Sequence, residues 1–142
     1  MKIAIANDHR GVERKNEIVN HLKSLGHTVI NCGTDSNESV DYPKYAFDVS
    51  SKVSNKEVDL GILLCGTGIG MSIVANKVKG IRAALCGDTF SARASRAHNN
   101  SNVLCLGERV IGINLAMDIV DIWLESKFEG GRHQRRVDMM EN

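Results

Sequence analysis

The chain has 142 residues, a formal net charge of +1, and a composition that is 42% hydrophobic and 25% charged. This is typical of a soluble globular protein with one domain, residues 1–142, that builds a full core without disulfides. The near-balance of 18 Lys plus Arg against 17 Asp plus Glu argues against a nucleic-acid-binding protein, which usually carries a large basic excess. No apolar run approaches the ~20 residues that span a bilayer and no signal-peptide pattern is present, so we expect no membrane partner, a cytoplasmic location and reduced cysteines.

Short apolar segments, typical of buried strands, alternate along the chain with segments whose apolar residues recur at helical spacing. The apolar segments predict five strands, at residues 3–6, 27–32, 60–64, 81–86 and 103–106. Helices are predicted at residues 11–25, 43–53, within 66–77, from 88 to about 98, and at 112–127. The remaining tail, residues 128–142, is polar and Arg-rich.

Local signals support several of these helix boundaries. Gly26 fits a helix C-terminus, Pro43 a helix start that needs no N–H donor, and Asp88 an N-cap. In the last predicted helix we expect the core-facing residues to be Leu115, Ile119, Ile122 and Trp123. Three outward-facing acidic residues are expected on the same helix: Asp118, Asp121 and Glu125.

Alternating strands and helices predict an α/β protein with three α/β/α layers: a Rossmann-like, open, five-stranded parallel sheet, followed by a C-terminal tail helix or extension. In such folds the ligand binds beyond the carboxyl ends of the strands. This rule selects residues 7–9, 32–35, 65–70, 86–88 and 107–109 as candidate site segments.

The glycine-rich segment 64–72 is the strongest local signal for chemistry. A predicted strand ends at Cys65, and Gly66, Gly68 and Gly70 then lead into a helix. Backbone N–H groups in such a turn bind oxyanions or phosphate, and the helix N-terminus favours a thiolate at Cys65. The alternative, a buried core cysteine beside an ordinary tight turn, remains open at this point because Cys is among the most buried residue types.

Two other α/β functions would place different residues in this part of the chain. A dinucleotide fingerprint needs its third glycine at the position that Met71 occupies, and Asp88, which lies near the distance of a ribose-binding acid, is equally explained as a helix cap. A phospho-receiver domain needs an aspartate after its third strand, where this chain has Cys65.

Two further segments carry candidate acid–base residues. Asp8 and His9 follow the first strand and could bind a polar substrate or move protons, or could form a polar loop with a helix-capping aspartate. His98 ends the fourth helix, where it is either an acid–base group or a solvated helix-end histidine.

A set of arginines near the C-terminus is suited to binding a phosphate. Its members are Arg109, Arg132, Arg135 and Arg136. The alternative is a charged tail paired with Glu129, Asp138 and Glu141. The spacing of His, Asp and Cys residues does not indicate a metal site, so we expect neither a metal nor another cofactor.

Several motifs together resemble the type B ribose-5-phosphate isomerases and the related galactose-6-phosphate isomerase subunits. The motifs are NDHRG at 7–11, DYP at 41–43, CGTGIGMSIVANK at 65–77, RAHNNSNVLCLGERVIG at 96–112 and GGRHQRRV at 130–137. They cover essentially the whole chain and are specific in combination.

The resemblance implies an aldose–ketose isomerase that interconverts ribose 5-phosphate and ribulose 5-phosphate through a cis-enediolate, as in the non-oxidative pentose phosphate pathway. Cys65 would be the base, Thr67 would move the hydroxyl proton, and His98 would open the furanose ring with help from Asp8. Some relatives use a glutamate at the position of Met71, which here cannot take a proton.

The resemblance also implies the substrate contacts. The enediolate would be stabilised by backbone N–H groups of Gly66, Thr67, Gly68, Ile69 and Gly70. Asn99 would bind substrate hydroxyls, Tyr42 would line the pocket, and the phosphate would be held by His9, Arg109, Arg132 and Arg136. Family members are homodimers or homotetramers in which the equivalents of His98 and Arg109 serve the neighbouring subunit's site.

Other functions remain compatible with the sequence. The same chemistry on allose 6-phosphate or galactose 6-phosphate would differ mainly in pocket depth. A flavodoxin-like module that only binds a phosphate or nucleotide would show no turnover.

Overall fold

A five-stranded, all-parallel sheet in the order β2-β1-β3-β5-β4 organises the chain. The computed structural model describes residues 1–141. The strands are β1 Lys2–Asn7, β2 Thr28–Asn31, β3 Leu60–Cys65, β4 Ala83–Leu85 and β5 Val103–Gly107. The helices are α1 Val12–Ser24, α2 Pro43–Ser54, α3 Ile69–Ala75, α4 Thr89–Ala97, α5 Ile113–Glu125 and α6 Arg132–Met140.

Helices cover both faces of the sheet, which confirms the predicted three-layer α/β/α fold. Alternate residues of β1 point to opposite faces: Ile3 and Ile5 pack in one core cluster with α1, α4 and α5, whereas Ala4 and Ala6 pack in the other with α2 and α3. All six residues of the central strand β3 are buried, so its near-continuous apolar sequence is explained by burial on both faces.

The edge strand β4 is shorter than predicted. It has three residues and pairs only with β5, whereas the prediction covered residues 81–86. Ile81 and Cys86 are buried although they lie outside the strand. The predicted strand was too long because an apolar sequence indicates burial more directly than it indicates strand pairing.

The four residues predicted to face the core on α5 all do so. Ile119 and Trp123 are fully buried, and Leu115 and Ile122 are partly buried and pack against the same core cluster. The structure adds Ala116 and Val120, which complete a fully buried stripe at the i, i+3, i+4, i+7 spacing.

The tail contains a sixth helix, α6, as the predicted C-terminal helix or extension allowed; Asn142 lies outside the described residues. The four cysteines are free. Across residues 1–141, no helix has the length and apolarity that crossing a bilayer requires.

Candidate active site

A cavity of about 580 Å³ opens at the carboxyl end of the sheet, where the topology predicts a ligand site. It is lined by Asp8, His9, Arg10, Tyr42, Cys65, Gly66, Thr67, Ile69, Gly70, Ile73 and Arg109. The structure therefore brings together most of the residues that the sequence proposed for binding and proton transfer.

Cys65 ends β3 at the floor of this cavity and is only 5% exposed. The backbone N–H of Gly68 donates a hydrogen bond to its Sγ at 3.1 Å. Gly68 has a left-handed φ of 78°, and a Cβ there would lie 2.5 Å from Leu85 Cδ1 and 2.9 Å from the backbone carbon of Leu106. Glycine is therefore required at this position for the turn that directs the N–H at the thiol.

The hydroxyl of Thr67 and the ring of Tyr42 lie on either side of this turn. Thr67 Oγ1 accepts a hydrogen bond from the Ile69 N–H at 3.2 Å, which leaves the hydroxyl proton available to a ligand. Tyr42 lies against Gly70, where a Cβ would be 2.5 Å from the tyrosine hydroxyl oxygen. A small residue at position 70 thus lets the aromatic ring close one wall of the cavity.

The segment after β5 is tied to the glycine turn by main-chain hydrogen bonds. The Glu108 N–H donates to the Cys65 carbonyl and the Arg109 N–H to the Gly66 carbonyl, both at 2.9 Å. Arg109 thus lies beside Cys65 of its own chain. The expected service of Arg109 to a neighbouring subunit stays a prediction.

Asp8 is buried at the other wall of the cavity, directly after β1. Its N–H donates to the Leu64 carbonyl at 3.0 Å, and its Oδ1 accepts from the Arg10 N–H at 2.9 Å. Asp8 therefore closes a turn rather than capping α1, whose N-cap is Gly11.

The orientation of His9 is set by the backbone of the β2–α2 connection. The Val40 N–H donates to His9 Nδ1 at 3.2 Å. An Nδ1 that accepts a hydrogen bond is unprotonated, so Nε2 carries the proton in this arrangement. His9 can therefore present a hydrogen-bond donor to an anionic ligand.

The other thiols lie in surroundings that oppose ionisation. Burial raises the pKa of Cys86 to about 11 and also raises the pKa of Cys105. The pKa of Cys32 is raised as well, first by burial and then by the negative charge of Asp48. None of these three thiols shares the cavity wall with Asp8 and His9 as Cys65 does.

His98, Asn99, Arg132 and Arg136 do not line this cavity. Helix α4 starts after the carboxyl end of β4 and runs back towards the amino end of β5, so its C-cap His98 lies at the opposite edge of the sheet from Cys65. The nine residues of α4 span about 14 Å. Within one chain, the structure therefore separates the predicted ring-opening residue from the predicted base.

The expected arginine cluster is likewise divided. Arg109 lines the cavity, while Arg132, Arg135 and Arg136 lie exposed on α6, which adjoins the end of α4. The acidic residues offered as their partners pair elsewhere: Asp138 accepts from Gln134 at 2.7 Å and Glu141 binds Arg82.

The candidate cofactor acid Asp88 has a structural role. Its side chain accepts a hydrogen bond from the Ser91 N–H at 2.6 Å and thereby caps α4, as the helix-cap interpretation predicted.

Comparison with known proteins agrees with this geometry. The family model described as Ribose/Galactose Isomerase matches residues 3–140. The chain belongs to the ribose/galactose isomerase family.

Relatives in this isomerase family match over nearly their whole length. The chain is 55% identical over 137 residues to ribose-5-phosphate isomerase B of Escherichia coli, covering 96% of this chain and 92% of that protein. The structure of ribose-5-phosphate isomerase B from Clostridium thermocellum superposes with a TM-score of 0.98 at 54% identity, covering 99% and 95% of the two chains. The Mycoplasma genitalium enzyme, whose crystal structure contains bound ribulose 5-phosphate, superposes with a TM-score of 0.95 at 46% identity, covering 99% and 93%.

Sequence reasoning missed Lys15, a fully buried lysine of this isomerase fold. Its Nζ donates to the Thr34 carbonyl at 3.0 Å and also to the Asp35 carboxylate. The hydrogen bond from Lys15 to Asp35 holds the pKa of the Asp35 carboxyl below its usual value. Lys15 thus fastens the start of the β2–α2 connection to α1. Apolar periodicity gave no signal for it, because a lysine on an amphipathic helix is normally exposed.

Sequence reasoning also missed the neighbours of His98. Its ring stacks on His133 with centroids 4.3 Å apart, and the Glu129 carboxylate lies near both. Glu129 lies in the connection before α6, outside any helix, so helical spacing gave no signal for the pair.

Proposed function

We propose that this chain interconverts ribose 5-phosphate and ribulose 5-phosphate as an aldose–ketose isomerase of the cytoplasm, with residues 1–142 acting as one isomerase domain. The observation that carries the proposal is the Cys65 sulfur, held at 3.1 Å from a backbone N–H on the floor of a polar-rimmed cavity. Membership of the family and the names of its close relatives support the same substrate.

The proposed reaction is a proton transfer between neighbouring carbons. The Cys65 thiolate removes the proton from C2 of the open-chain aldose, and the electrons move to the C1 carbonyl oxygen to form a cis-enediolate. The proton then returns to C1, while Thr67 moves the hydroxyl proton from the C2 oxygen towards the C1 oxygen. This completes the ketose with no net gain or loss of atoms.

Backbone donors in the glycine turn would supply the electrostatic stabilisation. The N–H of Gly68 stabilises the thiolate, and the other N–H groups of residues 66–70 are proposed to face the developing enediolate charge. Preorganised donors in a site that excludes water need little reorganisation during the reaction. Their loss typically costs ~10²–10³ in kcat.

Phosphate binding would place the reacting carbons over Cys65. His9 offers its Nε2–H, and Arg109 offers a guanidinium that lines the same cavity. Arg132 and Arg136 are proposed to add two more guanidinium groups, and Asn99 is proposed to bind the sugar hydroxyls. Remote binding of this kind supplies positioning without entering the chemical step.

Ring opening would require a second copy of the chain. We propose that Asp8 and His98 act together on the furanose, and these residues belong to opposite edges of the sheet in one subunit. A homodimer, or a homotetramer built from such dimers, would bring the His98 edge of one copy to the Cys65 cavity of the other.

Exposed apolar side chains support such an assembly. Val110 is 66% exposed, Ile69 51% and Leu85 43%, and these three residues line one groove near the carboxyl end of the sheet. A contiguous exposed apolar surface commonly marks an interface.

The deciding experiment follows the substrate directly. The purified protein is incubated with ribose 5-phosphate in D2O containing EDTA, and the C2 proton and the appearance of ribulose 5-phosphate are followed by NMR. We expect turnover with deuterium incorporation, and we expect Cys65→Ala to reduce it by at least ~10³-fold because the base is lost.

Cys32→Ala is the matched control, since it removes a half-buried thiol that does not line the cavity. Equal activity of the Cys65→Ala and Cys32→Ala proteins would rule out Cys65 as the base. Turnover of allose 6-phosphate or galactose 6-phosphate without turnover of ribose 5-phosphate would overturn the pentose assignment, and binding without any turnover would favour a binding module.

A further inference from the structure

Three side chains of types that can bind a metal ion lie close together near the amino end of the sheet, opposite the cavity. His98 is the C-cap of α4, Glu129 lies between α5 and α6, and His133 is in the first turns of α6. Glu129 Oε1 is 3.5 Å from His133 Nε2, and Glu129 Oε2 is 3.8 Å from His98 Nε2. One ligand atom from each residue lies within 4.8 Å of the other two.

This donor set is one that zinc uses. Two imidazole nitrogens and one carboxylate oxygen form the three-ligand set of open zinc sites, which leave a fourth position free. Ligand atoms around a tetrahedral ion with bonds of ~2.1 Å lie ~3.4 Å apart. The two histidine–glutamate distances are near that value, but they run to different oxygens of the Glu129 carboxylate, so the carboxylate must turn to place one oxygen near both histidines.

Coordination of one ion by both histidines requires one ring to reorient. The two imidazole rings are stacked at an interplanar angle of 12°, so their nitrogen lone pairs lie in nearly parallel planes that do not meet at one ion. His133 is nearly buried, whereas the side chains of His98 and Glu129 are 47% and 58% exposed. His133 can therefore act as the fixed ligand while the two exposed side chains turn towards the ion.

The backbone holds the three ligands together before any ion binds. The Glu129 N–H donates to the Ala97 carbonyl at 3.0 Å, which joins the residue before His98 to the ligand loop. The His133 N–H donates to the Gly130 carbonyl at 3.1 Å, which starts α6 beside that loop. The site therefore needs side-chain rotation but no folding of new backbone.

We propose that His98, Glu129 and His133 form a binding site for a divalent transition-metal ion such as Zn²⁺, and that occupation of this site inhibits the isomerase. The inhibitory half rests on the proposed function, because it requires His98 to act in ring opening. An ion on its Nε2 would take away the lone pair and fix the ring away from the sugar. The metal is an inhibitor here and takes no part in the proton transfer.

The proposed metal binding is tested without any sugar. EDTA-treated and desalted protein is titrated with Zn²⁺ by calorimetry and with Co²⁺ by visible absorption, which reports tetrahedral coordination. We expect one ion per chain, with affinity weakened at least tenfold by His133→Gln and by Glu129→Gln. Cys65→Ala should bind as the wild type does, which separates this site from thiol binding.

His21→Gln is the matched control, because His21 forms a simple two-residue pair with Asp121 at 2.6 Å. Unchanged affinity in this variant supports the three-residue site. Equal affinity of the His133→Gln and wild-type proteins, or loss of binding in Cys65→Ala, would overturn the proposal.

The inhibitory half is tested by turnover of ribose 5-phosphate, with each protein compared with its own rate in EDTA. We expect Zn²⁺ to slow the wild type reversibly and to slow His133→Gln at least tenfold less at the same concentration. Full activity with the site saturated would overturn inhibition while the binding result stands. Absence of turnover even in EDTA would instead count against the proposed function, and the titrations would still decide the site.

Discussion

The two ends of the sheet are built differently. At the carboxyl end, Cys65, Asp8 and His9 are positioned by main-chain hydrogen bonds and by the glycine turn. At the amino end, His98 and the α6 arginines are exposed side chains at helix ends. The first group lines one cavity of a single chain, with the positional precision that proton transfer requires. In the second group, His98 stacks on His133, whereas the arginines of α6 stay exposed.

The largest expected effect tests whether the two ends act together across subunits. Cys65→Ala and His98→Ala proteins should each lose nearly all turnover of ribose 5-phosphate. After mixing and subunit exchange, about a quarter of wild-type activity should return in a dimer, because half of the dimers then carry one intact site. Exchange is verified by mass spectrometry, and verified exchange without recovery would place each whole site within one subunit.

Gly68→Ala should damage the carboxyl end through its backbone. The left-handed φ and the contacts with Leu85 and Leu106 predict a loss of about 2–4 kcal/mol in the free energy of unfolding and a displaced N–H at Cys65. Chemical denaturation measures the first effect and kcat the second. Gly87→Ala is the control, since a Cβ there meets nothing within 4 Å, and equal stability of the two variants would contradict the assignment.

Arg136→Ala sharpens the comparison at the amino end. It should lower kcat/KM for ribose 5-phosphate by about 10–100-fold, because one charge-assisted contact to the phosphate is lost, while leaving any turnover of free ribose unchanged. Arg135→Ala, on the same helix, serves as the control. Equal losses with phosphorylated and free sugar would remove Arg136 from the phosphate site.

The smallest effect concerns the order in which the thiols react. Iodoacetamide should modify Cys65 before Cys86 and Cys105, whose pKa values are raised by burial. Ribulose 5-phosphate should slow modification of Cys65 severalfold by occupying the cavity, as measured by peptide mass spectrometry. A free phosphate ion at the same concentration is the control for ionic strength, and modification of Cys105 first would contradict the expected order.

Individual elements show which structural features the sequence could predict. The predicted helix cap at Asp88, the helix start at Pro43 and the central strand were confirmed because short-range hydrogen bonding and burial on both faces leave direct traces in sequence. The length of β4 was wrong because an edge strand depends on its one neighbour. On α5 the predicted core-facing residues were confirmed, while the buried Ala116 and Val120 were not predicted. The role of Lys15 was missed because its partners belong to a loop that is distant in sequence.

The sequence by itself determined the order of strands and helices along the chain and the position of Cys65 at a strand end, because these depend on local pattern. It also determined the family, because the motifs are specific in combination. Only the tertiary structure decided that Arg109 lies with Cys65, that His98 lies at the opposite edge, and that Glu129 and His133 surround His98. The separation of His98 from Cys65 arises because α4 runs back along the parallel sheet and ends near the amino ends of the strands. No local sequence pattern encodes the distance between these two residues, because it is set by the packing of whole elements.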